Sequence, residues 1–540
     1  MLYPLALDDK ALLQNFLKVL PALGYRDFTF AGSSRTHEEE IRDLLEEMLR
    51  SAKNSTAFSI FTYAAGKPRK EGEDDDLFKL WRTGLVAALH VLKRHDRREN
   101  PSRDDKNVTP PLTEELVSYY RKLREYEPLL YASDPRYRDH FAHVLRVWML
   151  GVMVAADLGP AKALRLSLMP GKKISPPPFS NEECLAVYTV AALTHDMGYP
   201  IEKVFKLNKS VGEMFAAYGG LDLQDLEFAF SAPHHQMAQD TMKLIASRPR
   251  YHVLGKKPLD EEISSWLQDY QRIRDLEDYQ RVNEDHEKSL TIKLRSQWKY
   301  FQKYARALER NQHGFLSTLL LQRKLLFFRE GEFALEEDYR FALEEVRQFI
   351  IRREILRAVA THTCPDIYFM SVTSPEALLF FCDEIQDWGR PRFQHLYEGD
   401  VTGKPVKVTL KSYSESSVSW ETVIKPDSLK DFAKIVFGIA YNLYTRLRSA
   451  PDSRRRTFSL CWTCTFDSKD HPIETTFEFV NNRHTFRFDI TRSDGNHVSG
   501  MEFIDSAATG AKSTDECKRL FVLRVEQIDK RPKAKRRMRP

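Results

Sequence analysis

The sequence predicts a mainly α protein: a helical core over residues 113–400, a helical N-terminal region over 1–112, and an α+β module over 401–529. Three observations predict it. Apolar residues recur at helical spacing from the N-terminus to about residue 392. The texture then changes to short runs rich in β-branched and aromatic residues, separated by turn signals. Hydrophobic residues make up 42% of the chain and aromatics 11%, enough for large buried cores. Global disorder is thereby excluded, and 540 residues imply two or three domains.

In the N-terminal region, "EEEIRDLLEEMLRSA" is the clearest amphipathic run. The charged, Pro-containing segment "KRHDRRENPSRDDKNVTPPL" (93–112) reads as a linker or long loop. Helix then follows helix to about 392. Within that stretch, "LDEEISSWLQDYQRIRDLEDYQRVNEDHEKS" is rich in charge, so residues near 257–310 read as a helical insertion projecting from the core. After about 400, "KPVKVTLKSYS", "TFSLCWTCTF", "ETTFEFV" and "HTFRFDITRS" read as strands. One helix, "SLKDFAKIVFGIAYNLYTRL", lies among them. Cys461 and Cys464 have a zinc-like spacing, but no second pair exists and both sit in a strand-like run. They read as packing residues.

The net charge is +5, and the tail "KRPKAKRRMRP" (530–540) supplies seven positive charges, leaving the rest at −2. The tail reads as a disordered, solvated end, with contact to nucleic acid or an acidic partner as the alternative. Six cysteines without framework spacing point to a reducing cytoplasm. The start "MLYPLALDDK" lacks the pattern of a signal peptide. The most apolar run, "VWMLGVMVAADL", is twelve residues long, which suits a buried helix rather than a membrane span.

Chemistry-bearing residues fall at the ends of apolar helices. In "PPPFSNEECLAVYTVAALTHDMGYP", Ser180 and Glu183 form a capping-box pair, and Gly198 and Pro200 are stop signals. His195 and Asp196 therefore fall in the last turn of a helix apolar nearly all round, where an ionised carboxylate is costly unless paired or metal-bound. "RDHFAHVLRVWMLG" puts His140 and His143 on a second helix, and "RNQHGFLSTLLLQRKLLFF" starts a third with His313. "IIRREILRAVATHTCP" aligns His362 with Ile355 and Val359, and "SPEALLFFCDEIQDWGRP", N-capped by Ser374, buries Asp383. Singly, each reads as a hydrogen-bonded core histidine or a capping carboxylate. Together they form an imidazole–carboxylate set suited to one or two divalent transition metals, Mn, Fe, Co, Ni or Zn, rather than Ca.

A histidine on one helix, adjacent His-Asp on a second and a distant Asp on a later one resemble the signature of the HD-domain metal-dependent phosphohydrolases. Here these residues are His143, His195–Asp196 and Asp383, within residues 113–392. His313 and His362 resemble the added ligands of the two-metal branch, which includes HD-type cyclic-nucleotide phosphodiesterases. The resemblance implies a helical metal-centred core. His143, His195, Asp196 and Asp383 would hold one ion, and Asp196 would bridge to a second completed by His313 and His362. The implied reaction is metal-activated hydroxide attack on phosphorus.

Two departures concern the leaving group. HD-type phosphodiesterases often read HDIGK, whereas "HDMGYPIEK" has Tyr199 at the lysine position and its next lysine at Lys203. Triphosphohydrolases of the family carry an arginine three residues before the first ligand, and here that position is His140. His140 and Lys203 are thus the candidates for the leaving-group acid beside Asp196, and Arg390 for a phosphate contact. His234 and His235 in "APHHQ" compete with His313. The expected activity is hydrolysis of a nucleotide or cyclic-nucleotide phosphoester. The alternatives are a nucleotide-sensing regulatory protein, with partners at the insertion or the C-terminal module, and a di-iron oxygenase.

Overall fold

A computed structural model describes residues 3–29, 34–52, 60–61, 74–93, 111–133, 140–166, 179–205, 207–208, 232–254, 289–322, 340–341, 343–364, 373–389, 407–424, 426, 428–448, 458–466, 472–481, 485–493 and 495–529. The linker residues 94–110, insertion residues 255–288, Arg390 and the tail 530–540 lie outside the described residues, as does the His234 side chain. The described chain is mostly helical, with a mixed seven-stranded sheet toward the C-terminus.

Strand β1 (Leu5–Leu7) leads into α1 (Asp9–Val19), whose N-cap Asp8 accepts from the Ala11 amide at 2.8 Å. α2 (His37–Ala52) and α3 (Asp76–Lys93) pack together, and α4 (Pro111–Ser133) follows. α5 (Phe141–Leu158) is buried at every position from Phe141 to Ala155. It is long and apolar enough to cross a membrane, yet 83% of it is buried inside the protein, as a core helix requires. α6 (Asn181–Thr194) starts at the expected capping box and is buried from Glu183 to Thr194. α3 and α5 both pack against α6, so the N-terminal helices are part of the wall around it.

α7 (Ala232–Ala246) runs into β2 (Ser247–Leu254), which pairs along its whole length with β3 (Ser289–Ser296). Residues 289–296, expected within a helical insertion, are therefore a strand. Leu290, Ile292 and Leu294 alternate with polar residues there, a period-two pattern that the surrounding charge obscures. Only α8 (Trp298–Glu309) shows the expected helix among the described residues of that stretch. α9 (His313–Gln322), β4 (Arg340–Phe341), α10 (Leu343–Thr361) and α11 (Pro375–Ile385) complete the core, α11 opening on its Ser374 N-cap. α10 is buried from Gln348 to Thr361 despite carrying Arg353, Glu354 and Arg357. Arg357 pairs with Glu376 at 2.6 Å and donates to the Ile245 carbonyl at 3.1 Å, so its charge is compensated.

The C-terminal sheet contains β5 (Lys407–Tyr413), β6 (Ser417–Ile424), β7 (Ser459–Phe466), β8 (Ile473–Val480), β9 (Thr485–Arg492) and β10 (His497–Ser499). Its order is β1-β5-β6-β7-β8-β9-β10. All neighbours are antiparallel except β6 and β7, which the crossover helix α12 (Leu429–Leu447) separates. β1 extends the sheet by pairing Leu5 with Leu410. Two further helices, α13 (Met501–Thr509) and α14 (Thr514–Asp529), follow the last strand. Cys464 is buried and Cys461 half-buried on opposite faces of β7, since strand side chains alternate. They cannot ligate one ion together.

Candidate metal centre

The last turn of α6 is fixed from outside before any ligand is considered. The Trp81 indole and the Tyr120 hydroxyl donate to the Leu193 carbonyl at 2.9 and 2.7 Å, and Tyr119 donates to the Met197 carbonyl at 2.6 Å. Helix-end carbonyls have no intrahelical donor, and α3 and α4 supply one. The chain leaves the turn beneath α9. A Cβ on Gly198 would lie 2.5 Å from the His313 carbonyl and 2.7 Å from the Ser317 nitrogen, and the Gly198 amide donates to Ser317 Oγ at 2.7 Å. Glycine there permits the close approach that brings His313 to Asp196.

Six expected ligands converge. Asp196 Oδ1 lies 3.3 Å from His313 Nε2 and 3.4 Å from His362 Nε2. Its other oxygen, Oδ2, lies 3.5 Å from His195 Nε2 and 4.0 Å from His143 Nε2. Asp383 Oδ1 is 2.8 Å from His143 Nε2 and 4.0 Å from His195 Nε2. His143, His195 and Asp383 form one group able to hold an ion, and His195, Asp196 and His362 form another.

All four imidazoles are anchored in the same way. Nδ1 bonds outward, to Gln386 Oε1 at 2.5 Å for His143, Ala192 O at 2.7 Å for His195, Glu202 Oε2 at 2.6 Å for His313 and Val359 O at 2.6 Å for His362. A proton on Nδ1 leaves the Nε2 lone pair facing the carboxylates, the arrangement metal-binding histidines use. The Nε2 atoms of His195 and His362 are buried without a hydrogen-bond partner. Buried polar atoms are seldom left so. Orphaned nitrogens aimed at carboxylates fit a cation-binding site.

Within the cluster, carboxylates and imidazoles offset one another's charge, and at His313 a cation would take the place of the Nε2 proton. Burial pushes the Asp196 carboxyl up, but His195, His313 and His362 together outweigh it and hold it well below the usual carboxylate range. Burial likewise opposes ionisation of Asp383, and the His143 hydrogen bond and charge overcome it. Burial lowers His313, yet its bonds to Asp196 and Glu202 carry it up to about 9. His362, more deeply buried, is pressed down to about 4 against the pull of Asp196.

Other candidates lie around this cluster. The His140 ring stacks on Tyr199 at 3.6 Å, and its backbone amide donates to Glu127 at 2.9 Å. His140, Tyr199 and Asp196 line one small opening. Lys203 sits beyond Tyr199, its ammonium 5.1 Å from the ring centroid. His235 is exposed on α7, whereas His313 touches Asp196. Sequence reasoning missed Glu202 and Gln386. Gln386 lies three residues after Asp383 in the same chain turn, and Glu202 six after Asp196, but neither carries a motif. Compared with family models, with curated proteins and with solved structures, the chain matches none.

Proposed function

We propose that the chain is a metal-dependent phosphohydrolase on an HD-type helical core, hydrolysing a phosphoester of a nucleotide or cyclic nucleotide. The observation that carries this reading is the split of Asp196: Oδ1 faces His313 and His362 while Oδ2 faces His195 and His143. One carboxylate divided between two imidazole pairs is the layout a shared ligand needs. His143, His195, Asp196 and Asp383 would hold one ion, and Asp196, His313 and His362 a second. One or two divalent ions of Mn, Fe, Co, Ni or Zn would supply Lewis acidity toward phosphoryl oxygens and an acidified water.

The chain's own residues do the rest. Asp196 stays ionised at neutral pH, held by its histidines. The packed helices exclude bulk water, which strengthens each charge interaction inside. His140 lines the opening above Asp196, where an imidazole is placed to give a proton to the departing oxygen. Stacking on Tyr199 holds that ring, and Tyr199 separates it from Lys203. His140 is therefore preferred over Lys203 for this role. The six free cysteines accord with a reducing cytoplasm.

The test is hydrolysis of bis-p-nitrophenyl phosphate by the purified chain with Mn, beside elemental analysis of bound metal. Asp196→Ala should abolish both. Turnover that survives the substitution refutes the assignment, and bound iron without phosphatase activity favours the oxygenase alternative.

A further inference from the structure

The strongest feature outside the metal centre joins it to the α+β module. Arg446 lies in the last turn of α12, and its Nη1 shares its two hydrogens among three carbonyls of one turn: Thr361 at 3.1 Å, His362 at 2.5 Å and Cys364 at 3.1 Å. These carbonyls close the C-terminal end of α10, where the intrahelical ladder has run out of donors. A cation at that end is favoured by the helix dipole as well. The guanidinium also lies 5.8 Å over the ring of Phe380 on α11, the helix that carries Asp383.

The same turn is held from the other side by α9, through the Gly314 amide donating to Thr363 Oγ1 at 3.1 Å. His362 hangs between the two supports, with Nδ1 tied to Val359 and Nε2 3.4 Å from Asp196. α12 is in turn anchored within its own module. Phe432 stacks on Phe466, Phe437 meets Phe521, and the Tyr444 hydroxyl donates to Asp505 at 2.7 Å. Any shift of α12 is delivered by Arg446 to the backbone of a ligand.

We infer that Arg446 is a positioning residue for His362, through which the C-terminal module sets the second ion position. The second half rests on the two-ion reading above. Its consequence is a coupling: whatever displaces α12 weakens one ion and spares the other. Arg446 meets the helix of Asp383 only through the Phe380 ring, whereas it bonds directly to the backbone of His362, so the first ion should change much the less and serves as the comparison.

The test uses the full chain with Arg446→Met and Arg446→Lys. In the chelated, ion-free protein, hydrogen exchange at the Cys364 amide, which bonds to the Thr361 carbonyl at 3.2 Å, reads the turn directly. Exchange should speed by about tenfold in Arg446→Met, with partial recovery in Arg446→Lys, which keeps the charge and three donors on a shorter side chain. Titration with Co²⁺, followed by its visible absorption, should show the second ion weakened about 10–100-fold and the first within about twofold. Unchanged exchange overturns the inference and leaves the metal centre standing. Equal weakening of both ions also overturns it, since that marks general loosening. A wild-type chain that takes up no cobalt overturns the metal reading and, with it, the coupling.

Discussion

Gln386 holds His143 from behind: its Oε1 accepts the Nδ1 proton at 2.5 Å, and its Nε2 donates to the Trp388 carbonyl at 2.7 Å. The second bond settles which end of the amide faces the imidazole. The linkage continues outward, because the Trp388 indole donates to Asp9 Oδ1 at 3.2 Å. Asp9 pairs with Arg146 Nε at 2.8 Å, and Arg146 lies three residues beyond His143 on α5. The N-terminal helix therefore belongs to the support of a candidate ligand. Gln386→Ala should weaken the first ion by about 10–100-fold while leaving the second largely intact. Calorimetric titration with Mn or Zn checks this, and equal affinity in variant and wild type would show that packing alone orients the ring.

The two halves of the centre should separate by mutation. His143→Gln removes a ligand from the Asp383 side, and His313→Gln removes one from the Glu202 side. Each should cost its own ion more than the roughly 10–100-fold expected for an outer partner. On the two-ion reading, each should leave one equivalent bound, read by elemental analysis after gel filtration. Loss of both ions from either variant would mean that the six ligands act as one indivisible site.

Gly198 is a packing requirement rather than a helix cap. Its φ is not in the left-handed region, so the expected stop signal acts here through size. A Cβ would press on the His313 carbonyl, Leu316 Cβ and the Ser317 nitrogen, all within 2.7 Å. Gly198→Ala should destabilise the chain by about 1–3 kcal/mol through overpacking. It should also weaken the second ion by pushing α9 back. An unchanged urea midpoint would show that α9 gives way freely.

Much of this centre was legible because burial leaves a trace in sequence. His195–Asp196, His143, His313, His362 and Asp383 each stand at the end of, or within, an apolar run, where a polar group must have a reason. Ser180 and Ser374 mark their helices by caps whose physics is local, and both caps form. What stayed hidden depends on distant chain. Glu202, Gln386 and Arg446 look like surface residues in sequence, and only tertiary packing turns each toward a histidine or its backbone. Leu5–Leu7 is too short to announce a strand, and its partner lies some 400 residues on. The insertion misled because charge dominates its composition while the alternation of β3 covers eight residues.

Acid stability should depend on a buried histidine pair away from the metal centre. His37 opens α2 and is fully buried, its ring 5.4 Å from that of His90 on α3, which in turn lies 5.6 Å from Phe28. Burial, then the nearby His90, lowers the His37 pKa from 6.5 to about 3. In the unfolded chain the imidazole returns to about 6.5. Between those values the unfolded state binds more protons than the folded one, so stability rises with pH across the window. The contribution is intact above about pH 6.5 and is lost progressively as pH falls toward about 3. Neither α2 nor α3 carries a candidate ligand of the metal centre, and His362 is also lowered, to about 4, so the effect of His37 is the difference between wild type and His37→Phe, both chelated. Urea midpoints should fall between about pH 7.5 and about pH 4.5, and His37→Phe, which keeps a ring but cannot be protonated, should fall less over the same range. Parallel losses in the two proteins would assign the acid sensitivity to other groups and leave His37 a packing residue.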